Sequence, residues 1–147
     1  MKIAALIAWL LTAAGGFYLL TTWIRKGGVR QSGTSRFPPA LIFGHFALAA
    51  TGLVVWIIYV ITDTDALAWV AFVILLPVAL LGFGMLARWI PTYRTERATA
   101  TRSAVATVTG GKAPESHFPV PTVIAHGLLA VVTLLLVLLT ALGVGGS

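Results

Sequence analysis

The chain of 147 residues contains no cysteine and only four acidic residues. Without cysteine there are no disulfides, thiolate metal sites or thiol catalysis. No Asp, Glu or Lys falls inside the long apolar stretches of the sequence. Cation-coupled pumps and proton relays usually depend on an intramembrane carboxylate, and a catalytic triad needs one to orient its histidine. Both classes are therefore disfavoured.

Apolar residues dominate what remains. They make up 59% of the chain, and the mean hydropathy is +0.98, which is more apolar surface than a soluble domain of this size hides. A membrane-spanning helix needs about 20 apolar residues. Four stretches are long enough, and they cover residues 3–24, 39–62, 66–90 and 120–144. The sequence predicts an all-α integral membrane protein, with residues 1–147 forming a single four-helix transmembrane domain.

The basic residues predict how this bundle is oriented. Nine of the ten Lys and Arg lie in or beside two loops, at about 25–37 and 91–118. Basic loops stay on the cytoplasmic side, so both termini and the turn at 63–65 are expected outside, in a multi-pass protein of the cell membrane. The net charge of +6 then reflects topology. The lipid bilayer is the expected partner, and no nucleic acid is needed to explain the charge.

The sequence indicates an internal duplication. Residues 16–24 and 82–90 share Gly-Phe-x-x-Leu-x-x-Trp-Ile, which is five identities in nine positions at an offset of 66. The second and fourth apolar stretches align at an offset of 81. We interpret residues 1–62 and 66–144 as tandem helical hairpins in a parallel repeat, with a pseudo-two-fold axis along the membrane normal. Lys2 before an apolar run also fits a signal peptide, but the repeat favours a retained helix.

Two histidines occupy equivalent places in the repeat. His45 and His126 each follow a Phe-Pro pair after six residues, which puts both roughly 10 Å into the bilayer at 1.5 Å per residue. An ionisable group inside a membrane is by default a functional hypothesis. Histidine as the sole such type indicates a neutral imidazole that binds a ligand or a hydrogen-bond partner.

The sharpest hypothesis is that the histidine pair binds one b-type haem. A flat, apolar porphyrin suits a bundle interior, and a two-fold axis brings two imidazoles to its opposite faces. Small neighbours of the histidines are expected to allow close approach, and basic side chains to bind the propionates. The candidate cofactor-binding residues are His45, His126, Gly44, Gly127, Arg36 and Arg88, and the two histidines are the metal ligands.

On these two histidines and its architecture, the chain resembles the four-helix membrane b-type cytochromes, which take haem ligands from facing transmembrane helices. Those families often carry two histidines on each ligating helix, whereas this chain has one, so one haem is implied. The resemblance implies electron transfer, as an electron carrier or a membrane oxidoreductase. Quinone or a larger respiratory complex would be the partner.

Other interpretations remain open. A transmembrane histidine can simply hydrogen-bond across a helix interface, and the chain would then be a non-catalytic accessory or assembly subunit of a larger membrane complex, or a homodimer. Small transporters also contain parallel repeats, but each half here has only two helices. A lone copper or zinc ion lacks further ligands. His117 has no repeat partner and is interpreted as interfacial, and Trp23 and Trp89 as membrane-interface anchors.

The second loop has no apolar periodicity. Residues 92–116 are rich in Thr, Ala, Arg and Gly. This composition predicts a mobile segment, with a short amphipathic stretch around 94–105.

Overall fold

The computed structural model describes residues 1–30, 35–102 and 112–144. Four α-helices account for most of them, and a short 3-10 helix at Pro114–His117 precedes the last one. All four are long and apolar enough to span a membrane, and the described residues contain no strand. The helices are α1 (Lys2–Arg25), α2 (Pro39–Thr62), α3 (Asp65–Arg102) and α4 (Val120–Ala141). The predicted all-α four-helix bundle is confirmed.

Proline defines where α2 and α4 begin. Pro39 is the first residue of α2, and Pro119 stands immediately before α4. Proline is favoured at a helix start because its missing N–H has no partner there. At the other end, Asp63 adopts the left-handed conformation with φ 52° and closes the turn between α2 and α3. Lys2 forms an ion pair with Asp63 at this same end.

The helices form a ring in chain order. We call the end with Arg25, Pro39 and Val120 the loop end, and the opposite end, with Asp63, the turn end. α1 packs most extensively along α4 and α2 along α3, whereas α1–α3 and α2–α4 are diagonal pairs without close backbone contact. Exchanging α1 with α3 and α2 with α4 reproduces this pattern. The arrangement agrees with a pseudo-two-fold axis, and the largest interfaces join the two halves.

Two buried clusters fill the bundle, one towards each end. The turn-end cluster is built around Trp9, Trp56 and Val137. The loop-end cluster consists of Trp23, Phe37, Ile42 and Trp89. Large apolar side chains elsewhere on the helices face outward, as expected for lipid contact.

Trp23 and Trp89 do not face the lipid. Both are buried inside the loop-end cluster, 0% and 6% exposed. The Trp23 indole N–H donates to Ser35 Oγ, and that of Trp89 donates to the carbonyl of Glu115. The expectation that they anchor the protein at the membrane interface is therefore wrong, because both indoles find their hydrogen-bond partners inside the protein.

α3 is much longer than its apolar stretch. It continues from Ile90 through Pro91 to Arg102, so the first part of the predicted mobile segment is helical. Residues 103–111 of that segment lie outside the described residues, and its last residues enter the 3-10 helix at Pro114–His117. By the offset of 66, Arg25 at the end of α1 corresponds to Pro91. The last eleven residues of α3, 92–102, therefore have no counterpart in α1.

Candidate functional site

His45 and His126 face each other across the bundle. They are the seventh residues of α2 and α4, and these diagonal helices make no close backbone contact. The two ring centroids are 6.5 Å apart and the ring planes are inclined by 68°. The imidazoles therefore form a polar layer between the loop-end and turn-end clusters.

Each imidazole is held by a backbone carbonyl of a neighbouring helix. His45 Nδ1 lies 3.0 Å from the carbonyl oxygen of Val78, and His126 Nδ1 lies 2.9 Å from that of Thr12. A carbonyl oxygen can only accept, so Nδ1–H is the donor in both pairs. In a neutral imidazole the other nitrogen, Nε2, then carries the lone pair. Both rings are thus fixed in the tautomer that leaves Nε2 as an acceptor or a metal ligand.

The two hydrogen bonds are related by the internal repeat. Thr12 and Val78 are separated by 66 residues, the same offset that aligns the repeated sequence block. His45 and His126 are separated by 81. The histidine of each half therefore donates to a carbonyl that belongs to the other half. This crossed pattern was not predicted, because the sequence does not show that α1 packs on α4 and α2 on α3.

Glycines on α1 and α3 make room for the rings. A β-carbon at Gly16 would come 2.9 Å from Cε1 of His126, and one at Gly82 would come 3.4 Å from Cε1 of His45. A helical side chain covers the turn that precedes its own residue. Glycine at 16 or 82 therefore leaves the carbonyl four residues earlier open to the histidine. These glycines open the nine-residue repeat, and that shared position was the sequence signal for them.

The two sides of the site differ in polarity. Thr12 Oγ1 lies 3.1 Å from Oγ1 of the buried Thr133, which joins α1 to α4 beside His126. At the equivalent positions near His45, the repeat has Val78 and Gly52. The residue that accepts from His126 therefore also has a hydroxyl contact across the helix interface, whereas Val78 and Gly52 have no hydroxyl to make one.

The remaining predicted site residues lie away from the imidazole pair. A β-carbon at Gly44 or Gly127 would meet nothing within 4 Å, so neither glycine provides the close approach expected of it. Arg36 and Arg88 are exposed, and neither side chain hydrogen-bonds a histidine among the described residues. His117 is exposed in the 3-10 helix. The structure thus brings together only the two histidines.

Sequence reasoning overlooked a buried carboxylate at the loop end. Glu115 is 0% exposed. Its Oε2 accepts a hydrogen bond of 3.0 Å from Ser35 Oγ, and its Oε1 accepts one of 2.6 Å from the Arg36 N–H. The carboxylate thereby ties the segment before α2 to the 3-10 helix before α4. One acidic residue in a polar loop normally indicates a solvated side chain, so no sequence pattern marked it.

The ligand set limits which cofactors suit the site. The described part of the chain has no group of three or more His, Cys, Asp or Glu placed to hold a metal ion. Two imidazoles alone suit a metal that brings its other donors with it, as haem iron does. Opposed imidazoles with metal–nitrogen bonds of about 2 Å place their centroids roughly 6 Å apart. The observed centroid distance is 6.5 Å, which is close to that value.

Comparisons of the chain with protein-family models, with curated proteins and with solved structures found no match.

Proposed function

We propose that this protein is a small membrane electron carrier that holds one b-type haem between His45 and His126. The observation that carries the proposal is the paired geometry: each Nδ1 donates to a backbone carbonyl, and both rings face one another at 6.5 Å. Metal-binding histidines characteristically donate their second ring nitrogen in this way, which fixes the tautomer and raises the basicity of the ligating nitrogen. The haem would supply single-electron redox chemistry.

The residues of the chain have separate roles in this proposal. Thr12 and Val78 orient the ligands through their carbonyls, while Gly16 and Gly82 leave space for the rings. The buried clusters on either side of the histidine layer exclude water, which tunes the potential of a metal centre. Arg36 and Arg88, exposed at the loop end, are proposed to neutralise the propionates from that side.

The proposal includes an orientation of the protein in the membrane and a class of redox partner. The loop end carries nearly all the basic residues and is assigned to the cytoplasmic side by the positive-inside rule. The turn end and both termini are assigned to the outside. Electrons would be exchanged with quinone or with a respiratory complex in the same membrane, as the resemblance to four-helix b-type cytochromes suggests.

A second candidate function is that of a non-catalytic subunit in a larger membrane complex. One observation favours it: each imidazole already has a cross-helix hydrogen bond, and such bonds alone stabilise transmembrane helix packing. In this case the histidines would act only through Nδ1, and no cofactor would be bound.

The test is the visible spectrum of the detergent-purified protein, expressed with added haem and measured oxidised and dithionite-reduced. The haem proposal predicts a Soret band with sharp reduced α and β bands, lost in both His45→Ala and His126→Ala. His117→Ala is the matched control, since this exposed histidine has no place in the site. A colourless wild-type protein would overturn the proposal.

The asparagine variants separate the two candidates. Asn Nδ2–H can replace the Nδ1–H donor but offers nothing in place of Nε2. If the histidines act as ligands, His45→Asn and His126→Asn lose the spectrum. If they act only as helix contacts, the protein is colourless, the asparagine variants unfold like wild type, and the alanine variants are less stable.

A further inference from the structure

The part of α3 beyond the bundle carries a groove that the histidine site does not use. At 1.5 Å per residue, the 38 residues of α3 extend about 57 Å, against a hydrocarbon core of about 30 Å. The helix therefore leaves the membrane at the loop end. Where it does so, a groove of about 600 Å³ opens along it, lined by Ile90, Tyr93, Arg94, Arg97 and Ala98.

The groove lies on one face of the helix. Its lining residues recur at intervals of three and four, the spacing of a single helical face. The Tyr93 ring stacks on Trp89 with centroids 5.2 Å apart, and Arg97 donates to the Tyr93 hydroxyl at 3.4 Å. Trp89 is buried and bonded to Glu115. The aromatic wall of the groove is therefore fixed to the core.

Along the helix, the groove changes from apolar to basic in the same direction in which a membrane changes from acyl chains to headgroups. Ile90 and Tyr93 lie nearer the membrane span, and the guanidinium groups of Arg94 and Arg97 follow, one turn further along the helix. None of the lining residues that the structure describes is acidic. Arginine binds phosphate through a planar set of donors, and basic residues next to a membrane attract anionic lipid. A soluble anion could bind the arginines but would make no apolar contact with Ile90 and Tyr93.

We propose that this groove binds an anionic phospholipid, with its phosphate at Arg94 and Arg97 and an acyl chain along Ile90 and Tyr93. The groove is open to its surroundings, and its described lining comes from α3 alone. The proposal depends on the membrane-spanning fold and not on haem binding. It assigns the extension of α3 to the lipid surface at the loop end.

The experiment is native mass spectrometry of the full chain in mild detergent, titrated with phosphatidylglycerol or phosphatidylcholine. Each arginine at a membrane surface contributes about fivefold to affinity, so Arg94→Gln/Arg97→Gln is expected to weaken phosphatidylglycerol binding roughly 25-fold. Arg25→Gln/Lys26→Gln is the matched control, because it removes the same charge from exposed positions at the same end. The control is expected to bind within about twofold of wild type.

A third variant tests the groove without changing charge. Ala98 is exposed, so Ala98→Trp fills the groove while leaving the fold intact, and it is expected to weaken lipid binding as well. Three results would overturn the proposal: equal binding of the two lipids, equal losses in the two charge variants, or competition by millimolar inorganic phosphate. The last result would identify a site for free phosphate instead of a lipid.

Discussion

Gly16 lies so close to His126 that a β-carbon on this glycine would stand 2.9 Å from Cε1 of the imidazole. The same relationship recurs, less tightly, between Gly82 and His45 at 3.4 Å. Each pair takes its glycine from one half of the duplicated chain and its histidine from the other. The two halves are therefore joined at the histidine layer, because the histidine of each half donates to a carbonyl of the other half.

Substitution of the two glycines by alanine is expected to have unequal effects. In Gly16→Ala the new methyl overlaps the His126 ring, and overpacking costs about 1–3 kcal/mol. Alanine has a higher helix propensity than glycine, which offsets up to about 1 kcal/mol. We therefore expect the free energy of unfolding to fall by about 1–2 kcal/mol. In Gly82→Ala the contact is an ordinary one, and the variant should match or exceed wild type. Unfolding in SDS, followed by tryptophan fluorescence, measures the difference.

Gly127→Ala is the control for these two variants. This glycine is also helical, but a β-carbon there would meet nothing within 4 Å, so the variant reports helix propensity alone. Equal destabilisation by Gly16→Ala and Gly82→Ala would contradict the geometry of the histidine layer.

The Thr12–Thr133 contact should contribute little to the free energy of unfolding. The two hydroxyls have two protons for three contacts: with each other at 3.1 Å, and with the carbonyls of Ala8 and Leu129 at 2.8 Å each. One contact is therefore always without a proton. A double-mutant cycle of Thr12→Val and Thr133→Val is expected to give a coupling of about 0.6 kcal/mol, the average for hydrogen bonds between transmembrane helices. A coupling above about 1.7 kcal/mol would exceed the range for such bonds and point to a larger polar network.

Much of the fold could be predicted because apolar length alone selects transmembrane helices. The stretch 39–62 coincides with α2. The extension of α3 to Arg102 was predicted only as a short amphipathic stretch around 94–105, of which 103–105 lie outside the described residues, because the loop as a whole has no apolar periodicity. The Ala and Arg content of residues 92–102 favours helix, and elongating an existing helix needs no new nucleus.

The site was predicted only in part. The repeat placed His45 and His126 at one depth, and the structure shows them facing. Their carbonyl partners depend on which helices are neighbours in the ring, and an internal repeat in the sequence does not specify this. Gly44 and Gly127 were selected because they adjoin the histidines in sequence, whereas the glycines that touch the rings are on other helices.

The buried carboxylate of Glu115 is expected to stabilise the loop end strongly. Hydrogen bonds to charged groups contribute about 1.5–3 kcal/mol each, and Glu115→Ala removes two and leaves the Arg36 N–H without its partner. We expect a loss of about 3 kcal/mol in the free energy of unfolding. Glu115→Gln should lose less, since its amide oxygen can still accept from Arg36. Unfolding in SDS tests both variants, and a change below about 0.5 kcal/mol in Glu115→Ala would refute the role, since surface substitutions stay within that range.

Because the chain has no cysteine, its orientation in the membrane can be measured by labelling single introduced cysteines. Lys26 and Thr64 are exposed at opposite ends of the bundle, so Lys26→Cys and Thr64→Cys each introduce a single accessible thiol. Because basic loops are retained in the cytoplasm, a membrane-impermeant maleimide should label Thr64→Cys in intact cells and Lys26→Cys only after lysis. The cysteine-free parent gives the background. The reverse pattern would place the loop end outside. It would then move the proposed propionate partners and the lipid groove to the outer leaflet, and the positive-inside rule would fail for this chain.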